Sequence, residues 1–138
     1  MSRRTLSDLL VRARSRIERL DPAAAWAAAK DGARIIDIRA APRELVPGSL
    51  HIPRTVLEWR LDPDSDWRSP YAPGLEERVI VLCDHGESSS LAAATLVELG
   101  FVRAGDVRDG FAGWTTAGLP VVPAVADPGL PGMSPPAE

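Results

Sequence analysis

Hydrophobic positions along this chain follow two periods, one helical and one of short unbroken runs. Leu6, Leu9, Leu10, Ala13, Ile17 and Leu20 recur at helical spacing with Arg12, Arg14, Arg16 and Arg19 between them. Thr5, with Asp8 three residues on, forms the signature of a capping box. The pattern predicts an amphipathic helix over residues 1–20 that packs on the domain or on a second subunit. A second helix is predicted from Pro22 to Lys30, capped by Asp21, opened by Pro22 and stopped by Gly32. Arg34–Ile38 and Val79–Leu82 are short, β-branched apolar runs suited to the middle of a sheet. Cys83 ends the second run, and Asp84-His85-Gly86-Glu87 makes a turn. Ser88 or Ser89 then caps a helix through Leu91, Ala94, Leu96 and Leu99 to Gly100. A further strand is predicted near Asp106-Val107-Arg108, and a last helix opens around Gly110-Phe111 and closes at Gly118-Leu119-Pro120.

Residues 40–77 are broken repeatedly by proline and by turn residues such as Gly48, Asp62, Asp64 and Asp66. His51-Ile52-Pro53 reads as a very short strand, and Val56 to Leu61 as a helical turn with Trp59 packing inward. The alternation of helix and strand predicts an α/β fold: a central, mostly parallel sheet with helices on both faces. From residue 124 onward Pro, Gly, Ala and Ser dominate, which reads as a disordered tail. The expected division is therefore 1–20 helix, 21–123 domain, 124–138 tail.

A length of 138 residues suits one domain with a real core. With 45% hydrophobic and 25% charged residues and a net charge of −3, nothing pushes the whole chain toward nucleic acid or an anionic membrane. The charge is uneven: six Arg against Asp8 and Glu18 give residues 1–20 a net +4, so the remainder carries −7. One cysteine excludes an internal disulfide and any multi-thiol zinc site, and it fits a reducing compartment. The early apolar run Leu9-Leu10-Val11 is too short for a signal-peptide core or a membrane span, so a cytoplasmic protein is expected. Cys83, His85 and His51 are the only thiol and imidazole ligands, and Cys-x-His on a tight turn is not a usual zinc pair, so no metal is expected. Asp62, Asp64 and Asp66 lack the Gly and distal Glu of a calcium loop and read as a solvated turn.

Cys83 carries the chemistry. In an open parallel sheet, ligands bind beyond the carboxyl ends of the strands, where this residue lies. The short loop after it runs into a helix N-terminus, so successive N–H groups and the helix dipole both favour thiolate over thiol. His85 adds a cation or a proton-exchange group, and the Ser88 and Ser89 hydroxyls are further donors. From residue chemistry alone two readings stand: an activated nucleophile, or a buried structural cysteine at a strand end.

Cys83-Asp84-His85-Gly86-Glu87-Ser88-Ser89 resembles the active-site loop of rhodanese-like sulfurtransferases, in the C-x-H-G-x-S-S form of some single-domain thiosulfate sulfurtransferases. Three further segments agree in order. Ile36-Asp37-Ile38-Arg39 resembles the family's D-x-R strand, and Val46-Pro47-Gly48-Ser49 with Ile52-Pro53 its I-P-G-A…I-P segment. Gly110 to Trp114, continuing through Ala117-Gly118-Leu119-Pro120-Val121, resembles its closing signature. The resemblance covers about residues 21–123. It implies the family's three-layer fold and makes Cys83 the sulfur carrier, with residues 84–89 binding the persulfide through loop N–H groups. It also implies no cofactor. The donor would be a small sulfane-sulfur compound such as thiosulfate or a persulfide, and the acceptor cyanide, a thiol or a protein. Asp37 and Arg39 would support the loop from behind, and Trp114 would close the core.

The loop itself contains no Arg or Lys, and Asp84 and Glu87 flank its centre. Arg54 or Arg60 would contact substrate if the chain after Pro53 runs near the loop. Tyrosine phosphatases and arsenate reductases also use a loop cysteine but need C-x5-R, and here that position is Ser89. The remaining alternative is a rhodanese-like module that binds or senses sulfur without turnover.

Overall fold

The structure is a computed structural model that describes residues 2–125 and 129–138. Helix α1 (Leu6–Arg14) is opened by the expected capping box: Thr5 accepts from the Asp8 N–H, and Asp8 accepts from the Thr5 N–H. It stops well before residue 20. Glu18–Leu20 instead forms strand β1, so the predicted 1–20 helix is corrected to a helix followed by an edge strand. Three residues carry too little pattern to announce a strand, and the pairing that stabilises it lies far along the chain. Helix α2 (Pro22–Lys30) begins as predicted, with Asp21 Oδ1 accepting from the Ala24 N–H at 2.8 Å.

Strand β2 (Arg34–Asp37) is followed by the two-residue strands β3 (Glu44–Leu45) and β4 (Leu50–His51). A 3-10 turn over Arg54–Val56 leads into helix α3 (Leu57–Leu61). Leu57, Arg60 and Leu61 are its buried positions, three and four apart, so Trp59 lies on the other face and is 55% exposed rather than inward. Strand β5 (Val79–Leu82), helix α4 (Ser88–Glu98), strand β6 (Ala104–Val107), helix α5 (Gly110–Thr116) and strand β7 (Val122–Pro123) complete the order.

Among the described residues, five strands form one parallel sheet in the order β1-β6-β5-β2-β4, and β3 pairs antiparallel with β7 in a second, two-stranded sheet. Alternation along β2 and β5 sends Ile36, Val79 and Val81 to one face, where α3 and α4 supply Leu57, Leu61, Ala92 and Leu96. Ile35, Ile80 and Leu82 go to the other, against Ala25 of α2 and Trp114 of α5. The fold is the expected three-layer α/β arrangement. Trp114 is fully buried, donates from Nε1 to the Pro120 carbonyl at 2.9 Å, and meets Trp26 edge-on.

The segment expected to be a disordered tail is corrected where it is described. Within residues 129–138, Ala137 exchanges backbone bonds with the turn before β4: Gly48 N–H to Ala137 O at 2.7 Å, and Ala137 N–H to Ser49 O at 2.8 Å. Pro131 O accepts from Nε of the buried Arg60. Gly132 packs flat on that side chain, where a Cβ would lie 2.8 Å from Arg60 Cγ. Docking here depends on backbone acceptors for a buried guanidinium, which apolar composition does not reveal.

Candidate active site

Strand β5 is buried at every position, and its parallel neighbours β2 and β6 hold the Cys83 end in fixed register. The chain leaves the sheet at Cys83, turns through Asp84–Glu87 and enters α4. Gly86 makes the turn possible with φ +84, and a Cβ there would lie 2.7 Å from the Asp109 N atom. Cys83 is 4% exposed, and its sulfur accepts two backbone hydrogen bonds, from Gly86 N–H at 3.2 Å and Ser89 N–H at 3.3 Å. Ser89 is in the first turn of α4, so the cysteine sulfur satisfies a helix-end donor that a cap side chain would otherwise take. The N-cap is Glu87, whose side chain makes no capping bond. The expected caps, Ser88 and Ser89, lie inside the helix.

Burial pushes the Cys83 thiol up, while hydrogen bonds from the Ser89 and Ser88 hydroxyls and from the Ser89 and Gly86 N–H groups pull it down, and the lowering prevails. The Ser89 hydroxyl, the strongest of these lowering contacts, is shared with the buried Asp106 Oδ2 at 2.8 Å.

Above the sulfur lies a cleft of about 450 Å³. Its apolar wall is Leu91 of α4 together with Leu6 and Leu10 of the N-terminal helix; its rim is Asp84, His85, Glu87 and Ser88. A larger hollow of about 540 Å³ lies on the other side of His85, against α5, and does not reach Cys83. The smaller cleft is the one with chemistry in it.

Asp37 and Arg39 lie behind the loop. Arg39 grips Asp37 with both Nε and Nη2, the latter at 2.7 Å. Its guanidinium lies 3.8 Å above the Phe111 ring, and the Phe111 N–H donates to the Cys83 carbonyl at 2.8 Å. His51 is committed to the same corner, with Nε2 2.7 Å from Arg39 O. Neither arginine expected to meet substrate lines the cleft. Arg54 pairs with Glu58 at 2.7 Å, and Arg60 turns inward to Pro131 O and Trp67 O.

Sequence reasoning missed a polar network under the loop. Asp106 of β6 is fully buried and accepts from Ser89 Oγ and Ser90 Oγ, each at 2.8 Å, and from Arg19 Nε at 3.0 Å. Arg14 Nε donates to Ser90 Oγ at 3.0 Å. Both arginines also reach the Gly86 carbonyl, Arg14 Nη2 at 3.1 Å and Arg19 Nη2 at 2.6 Å. An acidic residue inside an otherwise apolar strand was the one local signal, since a buried carboxylate requires donors.

The site is thus a cysteine at the end of the central strand of a parallel sheet, followed by an amide-lined turn into a helix. The rhodanese-like domain model matches residues 21–117, and the chain belongs to that family. It is 31% identical over 105 residues to the thiosulfate sulfurtransferase GlpE of Haemophilus influenzae, covering 74% of this chain and 91% of that protein. The GlpE protein of Actinobacillus pleuropneumoniae is 54% identical over 46 residues, a match that spans 33% of this chain and only 43% of the relative. Among solved structures, a Rhodopseudomonas palustris protein described as of unknown function, possible tyrosine phosphatase, superposes with a TM-score of 0.79 at 31% identity. That superposition covers 88% of this chain and 97% of the other.

Proposed function

We propose that this protein is a sulfurtransferase that carries a sulfane sulfur on Cys83. The observation that carries the reading is the two-amide cradle on Cys83 Sγ at the floor of an open cleft, with the thiol pKa drawn down. The Cys83 thiolate attacks the outer sulfur of thiosulfate, the S–S bond to the sulfonate breaks, and sulfite leaves with the bonding pair. The enzyme is left as a persulfide anion, Cys83–S–S⁻, whose terminal sulfur takes the place of charge that loop N–H groups stabilise. Cyanide or an acceptor thiolate then attacks that terminal sulfur and departs as thiocyanate or a new persulfide, and the Cys83 thiolate returns. Each half-reaction conserves charge and needs no external oxidant. A free thiol is required at the start, which suits a reducing, cytoplasmic setting.

The rim bears on the donor. Asp84 and Glu87 repel a thiosulfate dianion by roughly 1 kcal/mol per charge pair at contact in water. The Leu6, Leu10 and Leu91 wall offers burial to a donor with an apolar group beside its sulfur. An organic persulfide therefore fits this cleft better than thiosulfate. Phosphatase chemistry does not fit: the position of the oxyanion-gripping arginine is Ser89, an uncharged residue whose hydroxyl bonds Asp106.

The test is thiocyanate formation by purified protein with thiosulfate or an alkyl persulfide as donor and cyanide as acceptor. Turnover that Cys83→Ser abolishes while the fold is retained is expected. Equal turnover by a folded Cys83→Ser protein would overturn the assignment, and sulfur uptake without turnover would favour a binding or sensing module.

A further inference from the structure

We propose that Arg14 and Arg19, both ahead of the segment matched by the family model, are positioning residues of the Cys83 loop. By gripping the Gly86 carbonyl, they orient the Gly86–Glu87 peptide and place positive charge beneath the sulfur cradle. The loop's own sequence has no Arg or Lys and two carboxylates, so fixed positive charge must come from outside it.

The geometry begins with one oxygen. Gly86 O accepts from Arg19 Nη2 at 2.6 Å and from Arg14 Nη2 at 3.1 Å, while the Gly86 N–H points the other way, at Cys83 Sγ. The Gly86–Glu87 peptide bond is trans, so the Glu87 N–H is antiparallel to the clamped carbonyl and directed away from the guanidinium groups. In this reading that N–H is a further donor for the outer sulfur of a persulfide. Two charged donors on one carbonyl also polarise that peptide, and they strengthen its N–H as a donor on the far side.

Each arginine has its own first anchor within the shared network. Arg19 is on β1 directly opposite Asp106, and its Nε bond to that carboxylate fixes the guanidinium. Arg14 is in the last turn of α1, a helix that packs on α4, and its Nε is bonded to Ser90 Oγ. Asp106 balances Arg19; no ion pair of Arg14 with a carboxylate occurs among the described residues. The cluster therefore carries one net positive charge below the loop, opposite Asp84 and Glu87 on the rim. Arg19 meets Asp106 through Nε at 3.0 Å and more loosely through Nη2 at 3.4 Å, while the shorter 2.6 Å bond of that Nη2 goes to Gly86 O, the oxygen that Arg14 Nη2 also reaches.

The experiment uses the full chain, with iodoacetamide alkylation of Cys83 followed against pH beside single-turnover sulfur loading from thiosulfate. Arg14→Gln is expected to move the alkylation midpoint upward by about half a pH unit and to slow loading about three- to tenfold at neutral pH. The loss should appear in the rate constant rather than the Michaelis constant, since Arg14 does not line the cleft. Arg14→Lys restores the charge without the fork, so the midpoint should return while loading recovers in part. Arg19→Lys, which keeps a cation beside Asp106 but loses the fork onto Gly86 O, should leave the midpoint near that of wild type and slow loading. A folded Arg14→Gln protein with an unmoved midpoint and unchanged loading would overturn the proposal. This inference rests on the sulfur-carrier reading only for the loading arm. If the wild-type protein takes up no sulfur from any donor, that reading fails, while the alkylation profile still decides the clamp.

Discussion

Gly110→Ala is expected to damage the active site from outside the loop. Gly110 opens α5 with φ +59, and its open side faces the backbone that leaves Cys83. An added Cβ would lie 2.6 Å from the Asp84 carbonyl carbon, 2.7 Å from Asp84 O, and closer still to Cys83 O. Carbon and carbonyl oxygen meet without repulsion near 3.3 Å, so the α5 N-terminus and the loop must part by about 0.6 Å or more. The bonds from Phe111 N–H to Cys83 O and from Ala112 N–H to Asp84 O cross that gap, at 2.8 and 3.0 Å, and would stretch with it. Left-handed backbone costs an alanine about 1–2 kcal/mol and forced overpacking about 1–3 kcal/mol more. At about 4 °C per kcal/mol for a chain of this length, the melting temperature should fall by roughly 8–20 °C. A sulfur misplaced by most of an ångström should lose about 30- to 100-fold in transfer rate, measured well below the new melting point. Gly118→Ala is the control: φ is +69 with nothing within 4 Å, so it should show the backbone cost and full activity. If the two variants melt and turn over alike, the clasp between α5 and the loop is not what fixes the sulfur.

Ending the chain at Val125 should lower the melting temperature by roughly 5–12 °C, since two backbone bonds to residues 48 and 49 and the Pro131 acceptor of buried Arg60 are lost. An unchanged melt would show that residues 129–138 do not dock in solution. Glu87→Gln should raise the second-order rate with thiosulfate about threefold at low salt, with the gain shrinking as salt rises. An unaltered rate would mean that the carboxylate stays clear of the donor. Because the Cys83 pKa is lowered in the folded chain, alkylation should show a midpoint below the ordinary ~8.5 of a free thiol. The thiolate's contribution to stability is then absent below the folded pKa, grows between it and ~8.5, and is complete above. Wild type should therefore gain stability over Cys83→Ser across that window as pH rises, and a pH-independent difference would contradict the shift.

The strand–cysteine–loop–helix unit was legible because its signals are local. Val79–Leu82 is an unbroken apolar run, Gly86 supplies the turn, and Ala92 to Leu96 keep the helical period. Gly110 was visible as a turn glycine, although its reason, the backbone of residues 83 and 84, belongs to another element. The N-terminal contribution was hidden by its own pattern. Ile17 and Leu20 continue the helical spacing of Leu6 to Ala13, but Glu18–Leu20 gains more from pairing with Gly105–Val107, some 87 positions away. Nothing near Arg14 or Arg19 in sequence marks them as partners of Gly86 O. Arg60 misled for the opposite reason: an arginine between Leu57 and Leu61 shares their buried face, and its acceptors, Trp67 O and Pro131 O of the returning tail, lie beyond its own helix.

The account stands on sulfur reaching Cys83, and intact-mass spectrometry after incubation with thiosulfate or an alkyl persulfide tests that directly. The wild-type chain should gain one sulfur atom, lose it on addition of cyanide, and remain unmodified when Cys83 is replaced by Ser. A chain whose Cys83 is readily alkylated yet gains no sulfur from either donor would contradict it.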